Sequence, residues 1–312
     1  MNSASAPGKI ILFGEHAVVY GRPALAVPVT QLKATVEVWP SEYRGIWIDA
    51  PDIRLKAELK TLAFDHPLAS ALRNLFFALG LDPFPDLNIR ISSTIPVASG
   101  LGSGAAVSVA LIRALCSYLR RPASDEQVNQ LAFELEKLYH GTPSGIDNTV
   151  ITYAKPVYFQ RGQPIETFKP REPFTIVIGD TGVAAPTRQS VGDLRSLWEA
   201  DKRAWELIFT QVGQLVIEAR RAIEYGRLSK LGELMNQNHM LLQQMTVSSP
   251  ELDCLVEAAR EAGALGAKMS GGGRGGNMIA LVDGAHGSSA HSQIEASLKK
   301  AGAKRVITTQ VA

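Results

Sequence analysis

The chain has 312 residues, of which 46% are hydrophobic and 20% are charged, a balance typical of a folded globular protein and not of a disordered one. This length suffices for two modest domains with buried cores. The formal net charge of +2 excludes a strong overall attraction to nucleic acid or to an anionic membrane, so any anion site must be local.

The chain also lacks the patterns of a secreted, zinc-binding or membrane protein. Its two cysteines, Cys116 and Cys254, and its six histidines show no zinc-site spacing and imply no disulfide framework. The apolar run 10–13 is too short for a signal sequence, and the run 105–119 is too short to span a bilayer. We therefore expect a cytoplasmic protein with no nucleic-acid or membrane partner.

Strands dominate the beginning of the chain. Four runs bounded by turn residues and rich in β-branched residues predict strands: 10–13, 24–39, 45–49 and 87–93. Between the last two, apolar residues at helical spacing predict a helix over 66–79. Gly80 follows it and suits the position after a helix end.

Helices follow the last of these strands. The loop 94–104 is expected to open a helix that continues to about Leu119. Ser124 to Gln127 form a capping box, which predicts another helix running to Tyr139. Farther along, residues 187–225 have a long amphipathic helical pattern that we expect to be bent or broken.

Strands and helices alternate again toward the end of the chain. Predicted strands there are 174–178, 267–270, 278–282 and 306–309. Ser249, followed by a proline and an acidic residue, is a strong helix start, and 288–301 is a further helix. A second region of the chain begins near Pro170, so we divide the chain into domains 1–170 and 171–312.

Three glycine-rich stretches lie far apart in the chain, each beside residues suited to phosphate chemistry. They are Pro7–His16, Pro96–Ala106 and Lys268–Asn277. A single glycine loop is weak evidence for any function. Three of them in this order, with a further motif between the last two, predict one active site built from both halves of the chain.

The second stretch has the strongest physical signal for phosphate. It follows a strand and opens an apolar helix, so its glycines let backbone N–H groups converge where the helix start adds partial positive charge. A tight turn that needs small residues is the alternative. A dinucleotide-binding loop is disfavoured, because such a loop normally lies in the first βα unit. The P-loop pattern GxxxxGK[ST] is absent.

These motifs together resemble those of the GHMP small-molecule kinases, which include galactokinase, homoserine kinase, mevalonate kinase and phosphomevalonate kinase. Pro96–Ala106 is similar to the family's phosphate loop, and His140–Asn148 and Lys268–Gly276 resemble its central and third motifs. The opening segment, Ala6–Gly21, looks specifically like that of the mevalonate kinases. The resemblance spans residues 6 to about 282.

The resemblance implies both a fold and an activity. The fold is the α+β, two-domain GHMP kinase fold, with an N-terminal domain like the second domain of ribosomal protein S5 and a ferredoxin-like C-terminal domain. The activity is Mg²⁺-assisted transfer of the γ-phosphoryl group of ATP to the C5 hydroxyl of mevalonate. The alternatives are another small alcohol as acceptor, such as phosphomevalonate or a sugar, and a non-catalytic sensor that binds ATP or a sugar but transfers no phosphoryl group.

Two residues are expected to carry the chemistry. An alcohol is a poor nucleophile near neutral pH, so a base or a fixed cation is needed. Asp147, in a glycine- and proline-rich turn, suits the base, and Lys9 suits the cation that stabilises transferring charge. The resemblance assigns both to the catalytic pair. The alternatives are an ordinary turn aspartate and a solvated lysine.

The resemblance also assigns the ATP and Mg²⁺ contacts. Residues implied to bind ATP are Pro96, Ser99, Gly100, Leu101, Gly102, Ser103, Gly104, Ala105 and Ala106. Glu136 matches the family's Mg²⁺ ligand, and Glu134 is its rival, although the two point about 200° apart on a helix. Gly104 departs from the family, which has a metal-ligating serine there, so the metal site is where this chain differs.

On the acceptor side, the resemblance implies contacts to mevalonate from Lys9, Asp147 and four further residues. These are Glu15, His16, Thr187 and Gly272. A hydrogen-bonded structural histidine is the alternative for His16, and flexibility alone is the alternative for the third glycine loop. Related kinases are often dimers, so a homodimer is possible.

Overall fold

The computed structural model describes residues 1–97, 99–140, 143–184, 187–283 and 287–312. The chain divides into two compact units, each built from several segments. Unit 1 comprises Met1–Gly8, Leu32–Val97 and Gly102–Ala154. Unit 2 comprises Lys9–Gln31, Ala98–Leu101 and Lys155–Ala312. The division at residue 170 stays a prediction.

Two long strands, β1 (Asn2–Phe13) and β2 (Ala24–Pro40), contribute residues to both units. The other strands and helices of unit 1 are β3 (Ile46–Ala50), β4 (Leu55–Glu58), α1 (Pro67–Ala78), β5 (Leu87–Ser93), α2 (Ser103–Tyr118), α3 (Asp125–His140) and α4 (Ile146–Tyr153). Short 3-10 turns, Pro51–Ile53 and Leu59–Thr61, flank β4.

The sheet of unit 1 has the order β4-β3-β5-β2. β3 runs parallel to β5, and β5 pairs antiparallel with β2 from Ala34 to Pro40. Alternate residues of β5, namely Leu87, Ile89 and Ile91, are buried, as the period of two predicts. The apolar helix α2 packs against α3 and α4 and contacts β5, so its first turn has a fixed position within the unit.

Unit 2 holds the remaining elements of regular structure. They are a 3-10 turn at Ala17–Tyr20, β6 (Val157–Phe159), β7 (Glu166–Thr167), β8 (Phe174–Asp180), α5 (Thr187–Ala200), α6 (Lys202–Glu224), α7 (Leu228–Gln244), α8 (Pro250–Glu261), β9 (Gly266–Ser270), β10 (Asn277–Val282), α9 (Gly287–Lys300) and β11 (Arg305–Val311).

The main sheet of unit 2 has the order β11-β8-β10-β9, with every neighbouring pair antiparallel. Numbered within the sheet, this order is 4-1-3-2, with helices in the first and third connections. That is the ferredoxin-like arrangement, so this prediction is confirmed. One face is covered by α7 and α8, whose apolar residues join those of β9 and β10 in a single core.

Several local sequence signals are present in the structure as predicted. Ser124 and Gln127 make both hydrogen bonds of a capping box, at 3.3 and 2.9 Å, at the start of α3. The long pattern 187–225 is broken at Asp201, whose carboxylate accepts a hydrogen bond from the N–H of Ala204 and caps α6. No helix in the described ranges is long and apolar enough to cross a membrane.

Candidate active site

The second glycine stretch forms a sharp turn into the start of α2. Gly100 and Gly102 have φ values of 78° and 75°, which favour glycine. The first helical hydrogen bond runs from the N–H of Ala106 to the carbonyl of Gly102, at 2.9 Å. Within the described chain, no side chain caps this helix start, and Ser103 and Gly104 are not buried. The first N–H groups of α2 are therefore available to an anion.

A buried carboxylate lies beside this helix start. Glu136 of α3 is only 4% exposed, and a Cβ added at Gly104 would lie 3.7 Å from its Oε1. Glu134, its rival, is exposed and accepts a hydrogen bond from Lys137 at 2.7 Å. A carboxylate next to a phosphate-binding helix start repels phosphate unless a cation lies with them. The residues present therefore fit Mg²⁺, and the buried Glu136, not the exposed Glu134, is the carboxylate that would hold it.

Asp147 lies in a helix and not in the turn that the sequence predicted. It belongs to the first turn of α4, because Gly145, with φ of 91°, serves as the N-cap and lets the helix begin early. Its neighbours are anchored: the Asn148 amide donates to Asn129 Oδ1 at 2.6 Å, and Thr149 Oγ1 donates to the Gly145 carbonyl at 2.6 Å. Asp147 is partly exposed while Asn148 and Thr149 are buried, so the residue lies at the surface of a firmly anchored helix start.

Lys9 follows the first glycine of the chain and lies on β1. Its backbone N–H donates to the carbonyl of Leu101 at 3.0 Å, which ties β1 to the second glycine stretch. The residue is 4% exposed. Lys9 belongs to unit 2 and Asp147 to unit 1, so their action as a pair stays a prediction.

Glu15 takes part in a fully buried ion pair. Its Oε1 bonds the ammonium group of Lys268, which also donates to the carbonyl of Met269 at 2.7 Å, and both side chains are 0% exposed. Burial raises the pKa of Glu15, against the attraction of Lys268 and Lys9, and burial lowers the pKa of Lys268. A carboxylate enclosed in this way is suited to holding the β1 turn and β9 together. The sequence showed Lys268 only as the start of the third motif.

His16, the residue after Glu15, contacts the third glycine stretch. Its Nε2 donates to the carbonyl of Gly272 at 3.1 Å, which leaves Nδ1 as the acceptor atom of the ring. Nδ1 is buried and has no hydrogen-bond partner among the described residues. Burial lowers the pKa of His16 to about 4, and the charge of Arg274 acts in the same direction. The ring is therefore neutral and can accept a hydrogen bond from a hydroxyl group.

We expect the His16 ring to stay neutral through neutral pH. An ordinary histidine gains its proton near pH 6.5, whereas His16 does so only near its pKa of about 4. NMR titration of the ring carbons, with the His16 signal assigned by its loss in His16→Asn, measures this directly. The same shift means that His16 lowers stability as pH falls from about 6.5 toward 4, since the unfolded chain binds the proton first. A midpoint near 6.5 would contradict the prediction.

The third glycine stretch, residues 271–276, is tightly enclosed. Gly273 has φ of 72°, and a Cβ there would collide with the carbonyl oxygen of Val247. Thr181 Oγ1 donates to the carbonyl of Gly276 at 3.0 Å. The amide of Asn277 donates to the carbonyl of Ser99 in the second stretch. Flexibility alone does not explain Gly273 and Gly275, because an added Cβ would collide with the carbonyl oxygen of Val247 at the first and of Val183 at the second.

Several of the remaining predicted site residues are buried, and one has a side chain outside the described residues. Leu101, Ala105 and Ala106 are buried and support the second stretch from within, and Ser99 is 7% exposed. Thr187 begins α5, but its side chain lies outside the described residues. Sequence reasoning missed Lys268, Thr181 and Asn277, whose partners lie far away in the chain.

Two family models match this chain. The model described as GHMP kinases N terminal domain matches residues 66–155, and the one described as GHMP kinases C terminal matches residues 219–300. The first match contains α2, Glu136 and Asp147, and the second contains β9 and the third glycine stretch. The second and third glycine stretches therefore lie inside the matched regions.

Individual relatives match over almost the full length. A mevalonate kinase of Pyrococcus horikoshii is 37% identical, with 98% of this chain and 94% of the relative covered. The crystal structure of L. major mevalonate kinase in complex with R-mevalonate is 31% identical, with a TM-score of 0.86 and coverage of 100% and 96%. The mevalonate kinase structure from Methanococcus jannaschii has a TM-score of 0.85 at 25% identity, with coverage of 99% and 98%.

Proposed function

The chain belongs to the GHMP kinase family, and on that premise we propose that it transfers the γ-phosphoryl group of ATP to the C5 hydroxyl of mevalonate. The observation that supports mevalonate as the acceptor is the match along nearly the whole chain to mevalonate kinases. One of these was solved in complex with R-mevalonate. The start of α2, open to an anion and flanked by the Glu136 carboxylate, supports the use of a triphosphate donor. A cytoplasmic location and a homodimer stay predictions.

In this proposal the chain's own residues supply position and charge. The N–H groups of Ser103 and Gly104 hold the phosphates of ATP. Asp147 accepts the proton of the acceptor hydroxyl or orients that hydroxyl toward the γ-phosphorus. Lys9 stabilises the charge that develops on the transferring group. Glu136 would hold Mg²⁺, which when bound neutralises part of the phosphate charge. His16 accepts a hydrogen bond from a mevalonate hydroxyl at its Nδ1.

The function is tested by measuring ADP release from ATP with mevalonate, phosphomevalonate, galactose and homoserine in parallel. Turnover with mevalonate alone is the expected result, and NMR of the product should show the phosphate at C5. Turnover with another alcohol and none with mevalonate would overturn the acceptor while keeping the phosphoryl-transfer chemistry. ATP binding without turnover of any of the four would favour the sensor alternative.

Gly104→Ser should strengthen metal binding. A Cβ at this position meets no closer atom than Glu136 Oε1, at 3.7 Å, so the serine fits and adds an oxygen beside the carboxylate. One added oxygen ligand of about 1 kcal/mol corresponds to about fivefold tighter binding. Electron paramagnetic resonance of free Mn²⁺, titrated into enzyme saturated with ADP, measures this without turnover. Gly104→Ala is the matched control, because it fills the same space without an oxygen. Equal affinities in the two variants would contradict the prediction.

A further inference from the structure

The third glycine stretch contains one residue that is not glycine and yet has a glycine-like backbone. Arg274 has φ of 58°, and its N–H donates to the carbonyl of Val247 at 2.8 Å. A side chain in this left-handed region costs conformational energy that glycine avoids. Glycines occupy both adjacent positions. An arginine between them is therefore expected only if its side chain makes contacts that offset the conformational cost.

Two nitrogens of the Arg274 guanidinium group bond neighbouring segments of the chain. Its Nη1 bonds Oδ2 of Asp193 in α5, and its Nε donates to the carbonyl of Thr246, two residues after α7, at 3.4 Å. The side chains of Arg274 and Asp193 are 30% and 49% exposed. At that exposure an ion pair contributes little to global stability, so its value lies in fixing the geometry of the loop and the helix.

The two elements attached to this loop are those that carry the proposed acceptor contacts. His16 bonds the carbonyl of Gly272, two residues before Arg274. Asp193 belongs to α5, whose first residue is Thr187. The other end of the loop has a different contact. The amide of Asn277 donates to the carbonyl of Ser99 in the second glycine stretch, which is proposed to bind the nucleotide. The loop thus has an acceptor end at Gly272 and Arg274, and a nucleotide end at Asn277.

We propose that Arg274 and Asp193 are positioning residues that hold α5 at the acceptor end of the third glycine stretch and thereby set the affinity for the acceptor alcohol. This proposal rests on the proposed function for the identity of the acceptor. Neither residue needs to touch substrate. Loss of the pair releases the first turns of α5 while the nucleotide end stays attached through Asn277.

The proposal is tested with Asp193→Asn, which keeps the shape of the side chain and removes its charge. We expect KM for mevalonate to rise about threefold to fivefold, the upper range for a half-exposed ion pair, with KM for ATP changed less than twofold. The matched control is Glu199→Gln, which removes the exposed Arg195–Glu199 pair from the same helix. This control should leave both KM values unchanged.

A charge reversal separates positioning from mere structural support. Arg274→Asp combined with Asp193→Arg restores an ion pair, and aspartate tolerates a positive φ better than most residues. We expect the double variant to recover most of the affinity lost in Asp193→Asn. High salt should move the wild type toward Asp193→Asn, because a half-exposed pair is screened. No recovery, or equal rises in both KM values, would overturn the proposal.

A further readout does not depend on mevalonate turnover. Hydrogen–deuterium exchange of the peptide covering residues 187–200 should be faster in Asp193→Asn than in the wild type and in Glu199→Gln. Unchanged exchange in Asp193→Asn would overturn the proposal even if the acceptor proves to be another alcohol. Faster exchange without mevalonate turnover in the wild type would leave the positioning role standing and place the error in the proposed acceptor.

Discussion

Asp147→Asn should lower kcat by about 10²- to 10⁴-fold, the usual contribution of a general base, while the fold stays intact. The amide keeps the shape of the side chain but can neither accept the hydroxyl proton nor supply negative charge. Asn148 and Thr149 anchor the start of α4 with their own hydrogen bonds, and the asparagine replacement leaves both in place. Single-turnover kinetics with saturating ATP and mevalonate would measure the chemical step.

Two controls make this result specific. Circular dichroism and the affinity for ADP should be unchanged in Asp147→Asn, which separates lost chemistry from lost folding. Asp65→Asn, an exposed aspartate before α1, should retain wild-type kcat. Full activity in Asp147→Asn would remove Asp147 as the base and leave charge stabilisation by Lys9 as the main contribution to catalysis.

Local signals in the sequence predicted most of the fold. The capping box at Ser124 and the alternation of β5 each depend on residues close together in the chain, so both could be recognised there. The helix α7 was missed. It includes Asn236, Asn238 and His239, residues of low helix propensity, and its stability comes from packing on β9. Such tertiary stabilisation leaves little trace in a local pattern.

The candidate site depends even more on contacts between residues far apart in the chain, which a local sequence pattern does not reveal. Glycine motifs predicted where phosphate would bind, because backbone geometry is encoded by the glycines themselves. They could not reveal that Glu15 pairs with Lys268, or Asn277 with Ser99, since these partners are 253 and 178 residues apart. Burial of a carboxylate is likewise a property of the folded chain. Glu15 was therefore predicted to face substrate, and that contact stays a prediction beside its observed partner.

Lys268→Met should lower the free energy of unfolding by about 3–5 kcal/mol at pH 7.5, the usual effect of removing one partner of a buried pair. Methionine fills similar volume, so the loss arises mainly from the Glu15 carboxylate left without its counter-charge. That carboxyl would then take up a proton on folding. At neutral pH this costs about 3 kcal/mol for a group whose ordinary pKa is 4.5. Urea unfolding would measure the difference.

The pH dependence of this loss identifies its cause. In Lys268→Met the folded chain holds a proton on Glu15 that the unfolded chain releases above its pKa of about 4.5. Stability of the variant should therefore rise relative to wild type as pH falls from about 7.5 to 5.5, since the folded state binds more protons. A simple packing defect would give a loss independent of pH.

Two further variants complete the argument about the buried pair. Lys230→Met removes an exposed lysine that is paired with Glu233, and should change stability by less than about 1 kcal/mol. Lys268→Met combined with Glu15→Leu replaces the whole pair by apolar groups and should recover most of the loss, because no unpaired charge remains. If the double variant stayed as unstable as Lys268→Met, the hydrogen bond from Lys268 to Met269 would carry the stability instead. Recovery of stability without recovery of activity would show that the buried charged pair also serves the reaction.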